Sequence, residues 1–321
     1  MKKIFFSLLA FFPFFLASCQ EDEMTDGGDV IVISSVQDMK WFYDQMVMEE
    51  NTFKGKTVKM GRNIDMKDFT WDSYSEQGCT TFEGVLDGNG CTLSNLTLVA
   101  SKTATSSDGY ATLFSHFSGE VKNLTIDGVT ATNTDLYGRA SAVAGEMTAG
   151  KISGVTVKNL VATGWYRIAG LVSFPTAGDI VIENCKVENV TLKDNAAAEK
   201  VLNQGGGILG YAFNFKTLTV TGCSVKNIQI ENPVTEAYLI AIDCTGHPHY
   251  CHPFIACIDY TNKAAHDAGY VTLSNNVIGG ENTAADVCPE SSHPYYGYGK
   301  HREAKEVFIT VDGKQVWPVR G

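Results

Sequence analysis

Leu124-Thr125-Ile126-Asp127-Gly128-Val129, Val155-Thr156-Val157-Lys158-Asn159-Leu160, Cys185-Lys186-Val187-Glu188-Asn189-Val190 and Cys223-Ser224-Val225-Lys226-Asn227-Ile228 are four copies of one six-residue pattern. Positions one and three are apolar around a polar second position, the period-two signature of a half-buried strand. Position four reads Asp127, Lys158, Glu188, Lys226, alternating in sign, so that stacked copies would set each charge against its opposite. Position five holds only Gly or Asn, the residues that tolerate left-handed backbone at a corner. A sixth-position apolar residue then points back inward.

Working outward, segments on a looser form of this template begin at Asn95, Asn123, Gly154, Asn184, Gly222 and Ser274, spaced by about 30 residues and widening toward the C-terminus. A second strand is expected after each copy, in Ala111-Thr112-Leu113-Phe114, Ala142-Val143-Ala144-Gly145, Ala169-Gly170-Leu171-Val172 and Gly207-Ile208-Leu209-Gly210. So short a repeat leaves no room for a crossover helix. Parallel strands joined without helices form a solenoid, in which each rung buries its apolar residues only against its neighbours. The expected fold is therefore all-β, a right-handed parallel β-helix with an N-terminal α-helical cap.

The segment Phe82-Glu83-Gly84-Val85-Leu86-Asp87-Gly88-Asn89-Gly90-Cys91-Thr92-Leu93-Ser94-Asn95-Leu96 resembles the opening of cell-surface proteins that carry the GLUG repeat. Ala169-Gly170-Leu171-Val172-Ser173 and Gly207-Ile208-Leu209-Gly210 resemble the repeat itself. The resemblance spans about residues 30 to 230 and implies an exported, β-helical, adhesin-like protein. It transfers no catalytic residue. The chain departs from the pattern where Ala142-Val143-Ala144-Gly145 lacks the leading Gly-Leu, and again where the repeats fade after residue 230.

Before the repeats, Val30 to Ile33 reads as a strand and Val36 to Glu50 as a helix, with Ser35 and Asp38 in capping-box spacing. Val36, Met39, Tyr43, Met46 and Val47 share one helical face, which suits a lid over the exposed end of a solenoid. Lys56 to Met60 and Asn63 to Met66 read as lead-in strands, and Val307 to Val316 as a closing hairpin. The organisation expected is a leader at 1–18, an acidic tether at 19–29, a strand–helix–strand cap at 30–80, the β-helix with long C-terminal loops at 81–300, and a hairpin cap at 301–321.

Lys2 and Lys3 followed by the apolar run from Ile4 to Leu16 have the form of an export signal, too short to span a bilayer. Leu16-Ala17-Ser18-Cys19 resembles the lipobox of bacterial lipoproteins, which implies acylation of Cys19 and an outer-membrane anchor. Gln20-Glu21-Asp22-Glu23 resembles the acidic tag that sends such proteins to the outer face of the outer membrane. The formal charge of −11, from 25 basic and 36 acidic residues, argues against nucleic acid as a partner. It argues equally against direct capture of polyanionic sugars, unless bound cations mediate the contact.

Reactive side chains are densest in a long C-terminal insertion holding Cys244, His247, His249, Cys251, His252, Cys257 and His266, with Cys288, His293 and His301 beyond. Disulfides among Cys79, Cys91, Cys244, Cys251, Cys257 and Cys288 are one reading, since an exported chain permits them. A metal held by His247, His249, Cys251 and His252 is another, although the spacing matches no standard zinc framing. No cofactor is expected; calcium and zinc stay open. Cys185 and Cys223 fall on the first inward position of their repeats, where buried thiols or a disulfide both fit. Trp165, Tyr166, Tyr295, Tyr296 and Tyr298 are candidates for stacking on a sugar or a protein partner. Two functions follow: non-catalytic, adhesin-like binding of a glycan or extracellular protein, or a polysaccharide lyase or hydrolase working in a groove of the same fold.

Overall fold

The structure, a computed structural model, describes residues 26–102, 109–135, 138–193, 204–231, 250–252, 254–259, 269–282, 296–300 and 307–317. The chain coils through four walls in turn, and successive coils stack in parallel. One full rung runs Tyr110–Ala111, Phe114–Phe117, Glu120–Lys122 and Thr125–Thr132; the next runs Arg139–Ala140, Ala144–Met147, Gly150–Ser153 and Thr156–Thr163. The described strands form four sheets of 5, 7, 11 and 9 strands, one per wall. This is a parallel β-helix.

The charge column read from the sequence is a column in space. Asp127 pairs with Lys158, Lys158 with Glu188, and Glu188 with Lys226, each directly in register. The Lys158 ammonium lies 3.1 Å from the Asp127 carboxylate. Beside it, Gly128, Asn159, Asn189 and Asn227 all adopt positive φ, between 55° and 72°. Asn159 Nδ2 donates to Asp127 at 2.7 Å, Asn189 to Asn159 at 3.4 Å, and Asn227 to Asn189 at 2.8 Å. These corner amides satisfy one another because a 4.8 Å rung spacing brings identical groups within reach.

The interior is a set of equally continuous apolar columns. In the third wall Val58, Leu86, Val121, Ile152, Ile182, Val220 and Leu273 stack in register, each almost wholly buried. Each such residue contributes about 1.5–3 kcal/mol of burial, offset by the entropy of ordering the chain. Cys185 and Cys223 stack in this interior as free, buried thiols. The neighbouring sulfur and burial push Cys185 well above the ordinary thiol range.

The repeat template is off register at both ends. Asn95 belongs to the Gly128–Asn159 corner, not to that of Asn123, because Leu93 pairs with Ile126 and Ser94 with Asp127. Both corners set a left-handed residue just before a buried one, so one template matches either. At the far end the corner is Asn275, with φ 55°, one residue after Ser274. The four segments expected as second strands are likewise not single strands. Each contains the bend between the first and second walls, and Phe114, Ala144, Val172 and Leu209 are the residues in register.

The helix spans Val36–Val47, shorter than expected; Ser35 Oγ accepts from Asp38 N at 3.1 Å, and Asp38 accepts from Ser34 N at 2.8 Å. Its buried face is Met39, Phe42, Met46 and Val47. Phe42 packs against Phe53, Phe82 and Phe114 with centroids 4.9, 5.7 and 6.2 Å away, closing the first rung. The ladder already begins at Val30–Ile33, paired with Thr57–Met60, inside the segment expected as a cap. At the other end Val307–Val311 and Lys314–Trp317 form the expected antiparallel hairpin about Asp312-Gly313, both at positive φ.

Candidate functional site

The first wall is short, and its strands alternate between the core and the outside. Ala111, Ala140 and Ile168 join the core, while Tyr110, Arg139 and Arg167 stack in register on the opposite side, followed by Gln204. In the second wall Ser115, Gly145, Ser173 and Gly210 follow one another in register, and Tyr110 lies over Gly145. Gly145 has to stay small, because a Cβ there would run into the Tyr110 ring. Flanking this corner is the outward column Thr81, His116, Glu146 and Phe174, with Tyr211 next.

Two cations are thus set among aromatic rings. The Arg139 guanidinium lies 4.8 Å from the Tyr110 centroid, 5.3 Å from Tyr166 and 5.6 Å from Phe174. That of Arg167 lies 3.8 Å from Phe174 and 4.5 Å from both Tyr166 and Tyr211. Such stacking favours a guanidinium, which is more weakly hydrated than an ammonium. Arg139 Nη1 donates to the Tyr110 hydroxyl at 2.6 Å, and that hydroxyl is 3.5 Å from a Glu146 carboxylate oxygen. Among the described residues, neither arginine makes an ion pair. Arg139 Nε and Nη2, Arg167 Nε and Gln204 Oε1 are buried without a hydrogen-bond partner there. Burial, then the neighbouring Arg139, lowers Arg167 to about 10, still protonated at neutral pH. Burial raises Tyr110 to about 12, so it remains a neutral phenol.

At the N-terminal end of the same column, Cys79 sits one bridge away from Tyr74, its Sγ 3.5 Å from Thr81 Oγ1. A hydrogen bond from His116 holds its thiol below the ordinary range. Cys79, one of the cysteines expected as a disulfide partner, is a free thiol. Cys91 instead lies at a turn, its Sγ 3.9 Å from the Met60 carbonyl.

Of the expected stacking aromatics, Tyr166 is 6% exposed and helps enclose the arginines, while Trp165 is half-buried, its ring 5.8 Å from that of Tyr166. Tyr298 pairs with Cys257, which pairs with Tyr211, so it occupies the register position that continues the Glu146–Phe174–Tyr211 column. Tyr296 continues the Leu209–Ile255 position. Cys251 and His252 stand in the first wall in register with Gly205 and Gly206. Cys19, Tyr295, Cys244, His247, His249 and Cys288 lie outside the described residues. Among the described residues no three His, Cys, Asp or Glu form a metal-holding group, and no helix is long and apolar enough to cross a membrane.

Sequence reasoning missed the arginine pair. The available signal was a cation inside an otherwise small and apolar stretch, Gly138-Arg139-Ala140-Ser141-Ala142-Val143, repeated one rung later in Arg167-Ile168-Ala169.

No family model and no curated protein matches the chain. A solved structure of a candidate immunoglobulin A1 protease from Bacteroides ovatus superposes with a TM-score of 0.42 at 11% identity, covering 93% of this chain and 81% of that one. At that distance the likeness bears on neither fold nor activity.

Proposed function

We propose that the chain is a cell-surface lipoprotein whose β-helix captures an extracellular glycan or protein without chemically changing it. The leader, the lipobox-like Cys19 and the acidic residues after it support display on the outer membrane, anchored by lipid. The observation that carries the binding reading is this corner, where Phe174 and Tyr211 stack at 6.0 Å and 17° beside two buried arginines that make no ion pair among the described residues and leave guanidinium N–H groups unsatisfied. Aromatic and arginine side chains together are the usual anchors of recognition surfaces. The test is a glycan and extracellular-matrix protein array probed with the wild type, Phe174→Ala and Tyr211→Ala. A ligand retained by the wild type and lost by both variants supports the reading; no ligand, or unchanged binding by the variants, refutes it.

A second reading, polysaccharide cleavage, has one observation in its favour: Glu146, Tyr110 and Arg139 meet in the same corner, a carboxylate beside an arginine. Incubation with a polysaccharide panel, with calcium supplied, decides it. Shortened or unsaturated products would replace binding with catalysis.

A further inference from the structure

We propose that the arginine pair is the seat of a single acidic sugar residue, a hydroxy-carboxylic acid of the uronic or nonulosonic class, with its carboxylate on Arg139 and Arg167. This deepens the binding reading above and rests on it. The unsatisfied groups define the ligand. Three buried guanidinium N–H positions, Nε and Nη2 of Arg139 and Nε of Arg167, require acceptors, and Gln204 Oε1 requires a donor. A carboxylate supplies the first and a neighbouring hydroxyl the second.

The charge count points the same way. Arg139 and Arg167 are 1% and 7% exposed, and buried cations are ordinarily matched by an anion. Glu146, 3.5 Å from the Tyr110 hydroxyl that Arg139 holds, offsets one of the two charges. One positive charge is left, which suits a monoanion better than a doubly charged phosphate monoester. The planar guanidinium fork matches a carboxylate in particular. Phe174, half-buried, offers a flat face beside Arg167 on which a pyranose ring can lie, and the buried Tyr211 ring stacks against it at 6.0 Å and holds it in place. The overall charge of −11 disfavours long polyanions, so one acidic residue of a chain, rather than a run of them, is the fit.

Calorimetric titration of the full chain with galacturonic acid and with N-acetylneuraminic acid, each beside its methyl ester, and with galactose 6-sulfate, tests this. At least one free acid should bind at least tenfold more tightly than its ester, and Arg167→Met should weaken that acid by about tenfold to a hundredfold. Because the variant removes a buried charge that makes no ion pair among the described residues, and Met keeps an apolar stem against the rings, its melting temperature without ligand should not fall below that of the wild type. A lowered midpoint together with no acid binding would make the pair structural and overturn the proposal. Equal affinity for acid and ester, or binding of the sulfate sugar alone, would overturn the ligand class while leaving the binding reading intact. If neither acid nor ester binds, and Phe174→Ala and Tyr211→Ala leave array binding unchanged, both fall.

Discussion

Replacing Asn189 separates the two jobs of a corner residue. Its backbone sits at φ 55°, and its amide donates to Asn159 at 3.4 Å while accepting from Asn227 at 2.8 Å. Asn189→Ala puts an unassisted Cβ in left-handed backbone, worth about 1 kcal/mol. It also removes two solvent-exposed hydrogen bonds, each worth about 0.5 kcal/mol at such a surface. The loss should total about 2 kcal/mol. Asn189→Gly loses the same hydrogen bonds but not the backbone allowance, and its gain of about 0.5 kcal/mol in unfolded-state entropy brings the cost to about 1.5 kcal/mol. Gly128 already fills the same column at φ 72°, which shows that glycine fits there. Urea unfolding of the full chain, followed by tryptophan fluorescence, reads both values. Alanine as well tolerated as glycine would refute the corner argument.

Three further expectations follow from single contacts. Lys158→Glu sets a carboxylate between Asp127 and Glu188 and should cost about 1 kcal/mol in urea unfolding at low salt, with much of it recovered at 1 M salt. Gly145→Ala drives a methyl group into the Tyr110 ring and should cost about 1–3 kcal/mol, measured by thermal melting, and should weaken the binding proposed for this corner. Because His116 lowers the Cys79 pKa, the reactive thiolate is present from a lower pH upward than for a free thiol and is lost as pH falls through the depressed value. Iodoacetamide labelling of Cys79, taken as the difference from Cys79→Ser, should reach half its maximal rate below pH 9, and His116→Phe should move that midpoint upward.

The fold was legible where chemistry repeats at fixed spacing. A sign-alternating column beside a Gly/Asn column has few explanations other than stacked rungs, and registers such as Lys158↔Glu188 follow from it. The ends were harder to read. Asn95-Leu96-Thr97-Leu98 and Asn123-Leu124-Thr125-Ile126 look alike because two different corners impose the same local demand. Phe42 escaped the expected helical face because the aromatic cluster it joins is assembled from Phe53, Phe82 and Phe114, residues that only the coil brings together. The candidate site was mostly illegible for the same reason. Cysteine, histidine and tyrosine clusters stand out because they are close in sequence, whereas Tyr110, Arg139, Arg167 and Gln204 meet only through four successive rungs of the short first wall. Tyr166, a candidate for stacking on a ligand, is instead buried against the guanidinium groups.

Rung stacking itself is tested most directly by a distance. Thr97, Thr130, Val161, Thr191 and Gln229 occupy one register column, four steps long. Spin labels carried on unnatural side chains at Thr97 and Gln229, leaving the native cysteines untouched, should give a narrow pulsed-resonance distance of about 20 Å, four spacings of 4.8 Å. A broad distribution, or a separation well beyond 30 Å, would mean that these residues do not stand above one another and that the chain does not coil.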